Sequence, residues 1–326
     1  MKAAIVNRYG PPEVVHVDDI ERPSPTADQV LVKVHAASVN RADLDGLIPR
    51  PSFVRLFAGM RAPRNTRVGI DAAGVVEAVG PDATRFKPGD KVFADLFSFG
   101  GGAFAEYVAA PERAFQAIPD GMSFEGAATL PHSAVLALHG LRRRNGRTPK
   151  PGDKVLIDGA SGNVGPFAVQ IAKDMGAEVT AVASTSKLEL VRSLGADHVI
   201  DYTKVDYTRQ PERYDWIVDT DSHHSIPAVR RALKRNGVYV TLGGTSWPIV
   251  AGMIVGPLIS LFSDRWSGLM LWWKPFHVPD VERLKELIAA GKVKPVIDRS
   301  YPLDEIVAAL KHVNDGDARG KVIVKP

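Results

Sequence analysis

The residues best suited to chemistry form a glycine-rich turn, Gly159-Ala-Ser-Gly-Asn-Val-Gly165. It follows a short apolar run that begins at Val155 and precedes a helical pattern, which is the context that a dinucleotide-binding turn requires. Gly159 and Gly162 allow a tight turn and let backbone N–H groups approach a pyrophosphate, and Gly165 lets the helix pack closely on the sheet. The amino terminus of that helix adds N–H donors and partial positive charge. The pattern therefore predicts a dinucleotide site, with an ordinary glycine-rich turn as the alternative.

The segment after the next predicted strand indicates which coenzyme is preferred. An NAD site places Asp or Glu about 20 residues beyond the glycine turn, but this chain has Ala183-Ser-Thr-Ser-Lys187 there. A carboxylate about 4 Å from a 2′-phosphate would be repelled by ~1–4 kcal/mol. Ser184 and Lys187 donate hydrogen bonds instead, together with Tyr202 at the end of the third strand, and this favours NADPH. The alternative, in which Lys187 is only a solvated lysine of the first helical turn, stays open.

The elements that must position these residues change character near residue 125. The first part has short β-branched runs between Gly and Pro turns, which indicates a barrel-like β unit. From there, strands alternate with helices of 10 to 15 residues, which predicts βαβ units with a parallel sheet. We expect an α/β protein with a barrel-like β domain over residues 1–124, completed by 268–326. A coenzyme-binding domain is expected over 125–267.

Composition excludes several other classes of protein. The 326 residues contain 41 Lys and Arg against 37 Asp and Glu, a net charge of +4 that is too weak to indicate a nucleic-acid partner. The chain has no cysteine, so it has no disulfide, thiolate zinc site or cysteine nucleophile, and a cytoplasmic location is expected.

The apolar stretch 249–262 is shorter than the about 20 residues that a membrane-spanning helix needs. Asn163 interrupts a serine-hydrolase G-x-S-x-G motif, so Ser161 is not a nucleophile.

Further segments carry a family resemblance over essentially the whole chain: Ala37-Ser-Val-Asn-Arg-Ala-Asp43, Gly69-Ile-Asp-Ala-Ala-Gly, Phe86-Lys-Pro-Gly-Asp-Lys-Val, Gly102-Ala-Phe-Ala-Glu-Tyr-Val and Leu194-Gly-Ala-Asp-His-Val-Ile-Asp-Tyr202. With the glycine turn, they resemble the zinc-independent quinone oxidoreductase branch of the medium-chain dehydrogenase/reductases. The resemblance implies a GroES-like β-barrel catalytic domain and a Rossmann NADP(H)-binding domain. It also implies a homodimer.

The resemblance assigns roles to particular residues. Ser161, Gly162, Asn163 and Val164 would contact the pyrophosphate, and Leu242 and Gly243 the nicotinamide half of the coenzyme. Lys321 would reach the coenzyme from the other domain. Asn40 would lie near the nicotinamide and the substrate, where its amide donates to a substrate carbonyl. An alternative stays open, in which Asn40 only fixes the loop backbone.

The expected reaction follows from the missing metal ligands. Zinc-dependent relatives carry a cysteine in the segment matching Val39–Asp43 and a histidine matching Ile70, and this chain has neither. Without a Lewis acid, alcohol oxidation is not expected. Hydride transfer to a small hydrophobic quinone or α,β-unsaturated carbonyl depends less on a Lewis acid, because hydrogen-bond donors and water stabilise the oxyanion. His132 is a minor candidate proton source.

Two matters stay open at this stage. The aromatic segment Trp247–Phe276 suits either a substrate pocket or a dimer interface. A quinone or enone reductase has two alternatives: an enoyl-thioester reductase and a non-catalytic protein that binds NADPH.

Overall fold

The computed structural model describes residues 1–49, 55–143, 145–243, 256, 258–260, 264–269 and 277–326. The chain divides into two compact units. Unit 1 comprises residues 1–133, 275–285 and 295–326, and unit 2 comprises 134–274 and 286–294. Most of the aromatic segment Trp247–Phe276 lies outside the described residues.

Unit 1 consists mainly of β-structure. Its strands are β1 (Lys2–Val6), β2 (Val15–Asp19), β3 (Gln29–Val39), β4 (Asp71–Val79), β5 (Lys91–Asp95), β6 (Tyr107–Pro111), β7 (Phe115–Ala117), β14 (Ile297–Pro302) and β15 (Lys321–Lys325). Its helices are α1 (Arg41–Leu47), α2 (Arg55–Ala58), α3 (Phe124–Ala128) and α9 (Ile306–Asn314). Helices α4 (Ser133–Gly140) and α8 (Val278–Ala289) begin in this unit.

The main sheet of unit 1 is built around β3. The strands follow the order β14-β15-β3-β4-β5-β7, and β6 also pairs with β3. β3 pairs antiparallel with β15, β4 and β6. Its valines at 30, 32 and 34 are buried in one apolar core. Because α3 packs on β3 and β4, unit 1 continues to Ser133, beyond the boundary at residue 124 expected from the sequence.

Unit 2 is an alternating α/β structure. Its strands are β8 (Lys154–Asp158), β9 (Glu178–Ala183), β10 (His198–Asp201), β11 (Tyr214–Asp219), β12 (Leu233–Thr241) and β13 (Trp266–Leu269). Its helices include α5 (Gly165–Asp174), α6 (Leu188–Ser193) and α7 (Ile226–Ala232). Continuous apolar runs such as Val155-Leu-Ile157 are fully buried, as expected for strands covered on both faces.

The strand order of unit 2 indicates at which edge of the sheet a ligand would bind. All its strand pairs are parallel, and the order is β10-β9-β8-β11-β12-β13. Numbered from β8, this is the order 3-2-1-4-5-6 of the Rossmann fold, so the predicted α/β fold class is confirmed. The order reverses between β8 and β11, and ligands of such sheets bind beyond the carboxyl ends of the strands at that point.

In the part of the chain that the structure describes, no helix is both long and apolar enough to cross a membrane.

Candidate functional site

The glycine turn leaves the carboxyl end of β8, next to the reversal of strand order. Gly159 has φ of +72°, and a Cβ there would lie 2.3 Å from Oγ1 of Thr220. A Cβ on Gly165 would lie 2.3 Å from the carbonyl oxygen of Gly159. Packing within the chain therefore requires glycine at both ends of the turn.

Gly162 differs from the other two glycines of the turn. A Cβ on Gly162 would meet only the Gly159 carbonyl oxygen, at 3.5 Å, which is ordinary van der Waals contact. The fold itself therefore tolerates a side chain here. A glycine at such a position is suited to the close approach of a ligand to the backbone.

Helix α5 begins directly after the turn, at Gly165, with Pro166 in its first turn. Proline is favoured there because its missing N–H is one that the helix leaves unpaired. Ser161 and Asn163 lie in the turn, and Val164 is the residue before the helix. Their position at a helix amino terminus fits an anionic pyrophosphate.

Three residues expected at the adenosine phosphate lie at the carboxyl ends of β9 and β10. The Tyr202 N–H donates to the Ala183 carbonyl oxygen at 3.2 Å, and the Lys187 N–H donates to the Ser184 carbonyl oxygen at 2.9 Å. Tyr202 is 61% exposed. The fold thus brings Ser184, Lys187 and Tyr202 to one edge of the sheet, next to the strand that carries the glycine turn.

Sequence reasoning missed a carboxylate at this edge, Asp201, because it searched for an acid only after β9. Asp201 is paired in register with Ala183. It accepts hydrogen bonds from the hydroxyls of Thr185 and Thr203, and Nζ of Lys204 lies 3.3 Å from its Oδ2. These hydroxyls, with the Lys204 ammonium, hold the pKa of Asp201 at about 2. The carboxylate is therefore ionised, and its oxygens already have donors.

Leu242 and Gly243 lie just beyond β12. The Leu242 N–H donates to the Asp219 carbonyl oxygen at 2.8 Å, and the Gly243 carbonyl oxygen accepts from the Ser222 N–H at 3.4 Å. These bonds hold both residues beside the end of β11, at the same edge as the glycine turn.

Two carboxyl groups that sequence reasoning did not single out stand next to the glycine turn. Asp158 and Asp219 are opposite each other in the β8–β11 register. Oδ1 of Asp158 accepts from the Gly159 N–H at 2.9 Å, and Oδ2 of Asp219 accepts from the Tyr239 hydroxyl at 2.9 Å. Burial, and then the charges of Asp219 and Asp221, raise the pKa of Asp158 well above its ordinary value. Burial also raises the pKa of Asp219.

In unit 1, Asn40 is the residue before α1 and is 1% exposed. Its Nδ2 donates to Oδ2 of Asp71 at 2.9 Å and to the Ser38 carbonyl oxygen at 3.3 Å. Its Oδ1 accepts from Nζ of Lys321 at 2.6 Å and from Oγ of Ser133 at 3.0 Å. The amide expected to donate to a substrate thus already has partners on both of its atoms. Its direct catalytic role stays a prediction.

Lys321 is enclosed in unit 1. It is 1% exposed, and its Nζ lies 3.1 Å from Oγ of Ser133 and 3.7 Å from Oδ2 of Asp71. The coenzyme contact expected for this ammonium also stays a prediction, and the enclosure of the side chain counts against it.

The pairing of neighbouring strands brings Lys321, Asn40 and Asp71 together. Val322 is opposite Val39 between β15 and β3, and Asp71 is opposite both Ser38 and Asp95. Nδ1 of His132 lies 3.3 Å from Oδ2 of Asp95. We use the name polar row for the resulting set: Lys321, Asn40, Asp71, Asp95 and His132.

Burial shifts the pKa values of the acids in and beside the polar row. It raises the pKa of Asp43, whose Oδ2 accepts from the Asn40 N–H at 2.7 Å, to about 7. It also raises the pKa of Asp71 to about 6. Burial lowers the pKa of His132, but the hydrogen bond to Asp95 and its charge outweigh burial, so the net shift is upward. Burial thus favours the neutral form of both acids, whereas Asp95 favours the charged form of His132.

The residues at the positions of the zinc ligands do not fit a zinc ion. Ile70, at the position of the histidine, is buried and apolar, and the chain has no cysteine. In the polar row, oxygen atoms of Asn40 and Asp71 face the Lys321 ammonium. Among the described residues, no group of three or more His, Asp or Glu side chains is arranged to hold a metal ion.

Two family models match this chain. One, described as "Alcohol dehydrogenase GroES-like domain", covers residues 26–120. The other, described as "Zinc-binding dehydrogenase", covers residues 194–324. Together they span most of both units.

Individual proteins match over nearly the whole chain. A mitochondrial NAD(P)H oxidoreductase of Mus musculus is 33% identical over 99% of this chain and 89% of its own length. A chloroplastic NADPH-dependent alkenal/one oxidoreductase of Arabidopsis thaliana is 33% identical over 100% of this chain and 80% of its own length. The solved structure of a quinone oxidoreductase from Coxiella burnetii superposes with a TM-score of 0.86 at 28% identity, covering 100% of this chain and 99% of that one.

Proposed function

Because the chain belongs to the medium-chain dehydrogenase/reductase family of oxidoreductases, we propose that it reduces quinones or α,β-unsaturated carbonyl compounds with NADPH and without a metal ion. One observation carries the proposal. The turn Gly159–Gly165 lies at the reversal of strand order in a parallel sheet, and its central Gly162 is not required by packing within the chain.

The coenzyme would be held by residues of unit 2. The backbone from Ser161 to Val164 and the amino terminus of α5 would bind the pyrophosphate. Leu242 and Gly243 would contact the nicotinamide half. When bound, the coenzyme supplies a hydride to an electron-poor carbon of the acceptor.

The preference for NADPH rests on the donors at the ends of β9 and β10. A 2′-phosphate accepts hydrogen bonds, and Ser184, Lys187 and Tyr202 can donate them. A free carboxylate at this place would repel the phosphate. Asp201 is instead held by Thr185, Thr203 and Lys204, and the nearby ammonium offsets its charge.

The substrate class is supported by the relatives, which include a quinone oxidoreductase and an alkenal/one oxidoreductase. Both kinds of acceptor carry a conjugated carbonyl. After hydride addition, the negative charge spreads onto oxygen, where hydrogen-bond donors stabilise it without a Lewis acid. This chemistry fits a protein whose residues at the zinc-ligand positions are not metal ligands.

The direct test follows NADPH oxidation at 340 nm with an ortho-quinone and an unsaturated ketone, with and without a chelator. We expect saturable turnover that the chelator leaves unchanged. A short enoyl thioester in the same panel tests the alternative acceptor class. Tight NADPH binding with no turnover of any acceptor would contradict the proposal and favour a non-catalytic binding protein.

We also propose a homodimer in the cytoplasm, as the family resemblance and the absence of cysteine led us to expect. Light scattering after size-exclusion chromatography tests the dimer, and a mass of one chain would contradict it. Cell fractionation tests the location, and recovery in a membrane or organelle fraction would contradict it.

A further inference from the structure

Two carboxyl groups of unit 2 lie next to each other where the glycine turn begins. Asp158 and Asp219 are paired in register between β8 and β11, so their side chains point to the same face of the sheet. Asp219 is fully buried, whereas Asp158 is partly buried and directly precedes Gly159. Oδ1 of Asp158 accepts from the Gly159 N–H at 2.9 Å. The charge of this pair is therefore set beside the backbone of the turn.

The hydrogen bonds of Asp219 suit its ionised form. Its Oδ2 accepts from the Tyr239 hydroxyl at 2.9 Å, and its Oδ1 accepts from the Asp221 N–H at 3.2 Å. A carboxylate accepts at both oxygens, whereas a protonated carboxyl group must donate from one of them. Of the two acids, Asp219 is thus the one whose surroundings stabilise a negative charge.

The surroundings of Asp158 suit its neutral form. Burial and the charges of Asp219 and Asp221 raise its pKa, the Tyr207 hydroxyl and the Gly159 N–H lower it, and no cation takes part. Two carboxylates that share a site do not both ionise readily. Oη of Tyr207 is buried without a hydrogen-bond partner among the described residues, and a hydroxyl oxygen can accept from a protonated carboxyl group. One proton therefore stays on Asp158 while Asp219 is charged.

We infer that Asp158 is a positioning residue of the coenzyme site and must be protonated for NADPH to bind tightly. The inference deepens the proposed function and rests on it. A neutral Asp158 still accepts from the Gly159 N–H through its carbonyl oxygen, so the turn keeps its conformation. An ionised Asp158 would add a negative charge beside the place where the pyrophosphate is expected, and like charges repel.

The inference links coenzyme binding to proton uptake. Below the pKa of Asp158 in the coenzyme-free protein, the Kd of NADPH should be constant. Above it, each molecule of NADPH that binds should take up one proton from solvent, so the Kd should rise by about tenfold per pH unit until the ionised protein binds directly. Because the pKa of Asp158 is raised, this rise should begin above the ordinary range of an aspartate.

The groups that face Asp158 all oppose its ionisation or are neutral. Asp219 on β11 and Asp221 beyond it disfavour a second negative charge. Burial, and then the charge of Asp158, raise the pKa of Tyr207, so its hydroxyl stays neutral. The ring of His224 lies on the far side of this contact, 5.1 Å from the ring of Tyr207, centroid to centroid.

The test measures the Kd of NADPH from pH 5 to pH 9 by calorimetry in two buffers of different ionisation enthalpy, which also gives the protons taken up. The wild type should lose tenfold or more in affinity at high pH and take up a proton there. Asp158→Asn keeps an acceptor for the Gly159 N–H, so it should bind tightly across the range without proton uptake. Asp120→Asn, at an exposed position, is the matched control and should follow the wild type.

A second variant should shift the pH dependence in the opposite sense. Asp219→Asn removes the neighbouring charge, so Asp158 should ionise more readily and the loss of affinity should move to lower pH. A purely structural role of the pair would not make one variant abolish the pH dependence and the other shift it. NADH, titrated in parallel, should show the same dependence as NADPH, because it carries the pyrophosphate but not the 2′-phosphate, whose own pKa is about 6.

The outcomes separate this inference from the proposed function. A wild-type protein that binds NADPH at no pH would contradict the proposed function, and the inference with it. A protein that binds and oxidises NADPH would contradict the inference alone in three cases: a Kd that is independent of pH, binding without proton uptake at high pH, or an Asp158→Asn variant with the pH dependence of the wild type. If Asp158→Asn failed to fold, the proton uptake of the wild type and the shift in Asp219→Asn would still decide.

Discussion

Nζ of Lys321 lies 2.6 Å from Oδ1 of Asn40, across 281 positions of sequence. This contact joins the start of the last strand to the loop that begins α1. It also places the ammonium 3.7 Å from Oδ2 of Asp71, in a setting where both side chains are fully buried. The pair is therefore part of the interior of unit 1, and its removal has predictable consequences for folding.

Replacing Lys321 with methionine should strongly destabilise the protein. The variant leaves the Asp71 carboxylate buried without its cation, and the loss of one partner of a buried pair costs about 3–5 kcal/mol. Because the raised pKa of Asp71, about 6, makes this group neutral at low pH, the loss should be smaller at pH 5 than at pH 8. Urea unfolding at both pH values measures it.

Lys2→Met is the matched control for that comparison. Lys2 pairs with Asp304 at 3.2 Å on the surface, where such pairs contribute less than about 1 kcal/mol. An equally small effect of Lys321→Met, or the same loss at both pH values, would show that the ammonium does not balance Asp71.

Alanine substitutions at the glycines of the turn should distinguish effects on folding from effects on coenzyme binding. Gly162→Ala should leave the free energy of unfolding nearly unchanged, because the added Cβ has room. It should weaken NADPH binding tenfold or more, about 1.4 kcal/mol, because the methyl group would block a phosphate. Thermal melts and fluorescence titration with NADPH measure the two effects.

Gly165→Ala provides the contrast in that experiment. Its Cβ would meet backbone atoms of Gly159 and Ala160 at 2.3 and 2.4 Å, so we expect loss of stability as well as of binding. If Gly162→Ala bound NADPH as tightly as the wild type, the turn would not be the pyrophosphate site.

The coenzyme preference should depend on Lys187. A hydrogen bond to a charged partner contributes about 1.5–3 kcal/mol, so Lys187→Ala should weaken NADPH binding at least tenfold and leave NADH binding unchanged. Lys154→Ala serves as control, since Lys154 begins β8 at the opposite edge of the sheet, where its Nζ lies 3.9 Å from Oε1 of Glu178, and it should change neither affinity. Full retention of the NADPH preference by Lys187→Ala would refute the assignment of the 2′-phosphate site.

Neutralising Asp158 should stabilise the protein at neutral and alkaline pH. An acid whose folded-state pKa is raised binds its proton more tightly in the folded than in the unfolded chain, so stability falls as pH rises above the unfolded value. Asp158→Asn removes that fall and keeps an acceptor for the Gly159 N–H. The melting temperature should therefore exceed that of the wild type at pH 8.

The Asp158→Asn difference should shrink at pH 4, where the wild-type carboxyl group is neutral. The exposed Asp120 offers a control, Asp120→Asn, that should change little at either pH. A variant less stable than the wild type at pH 8 would mean that the ionised carboxylate stabilises the fold.

Local patterns were sufficient to predict the turn and the alternation of strands and helices in unit 2. Glycine spacing and continuous apolar runs are properties of neighbouring residues, and the parallel sheet follows from them. Ser184, Lys187 and Tyr202 could be placed together because each follows a recognisable strand. Asp201 was missed only because it ends β10, whereas an acid was sought after β9.

The interior of unit 1 could not be predicted in this way. The contact of Lys321 with Asn40 depends on the pairing of β15 with β3, and no local pattern specifies that register. The sequence suggested a structural role for Asn40 only as an alternative, within its own loop, and did not predict the bonds of its amide to Asp71 and Lys321. The pairing of His132 with Asp95 likewise depends on where α4 begins relative to the end of β5.

The central claim is that this chain transfers a hydride from a phosphorylated nicotinamide coenzyme to a conjugated carbonyl compound. NADPH labelled with deuterium at each face of nicotinamide C4 in turn, used with an unsaturated ketone, tests it by mass spectrometry of the product. We predict one deuterium at the β-carbon of the product with one labelled face and none with the other. Product without deuterium from either face, or no product, would contradict the claim.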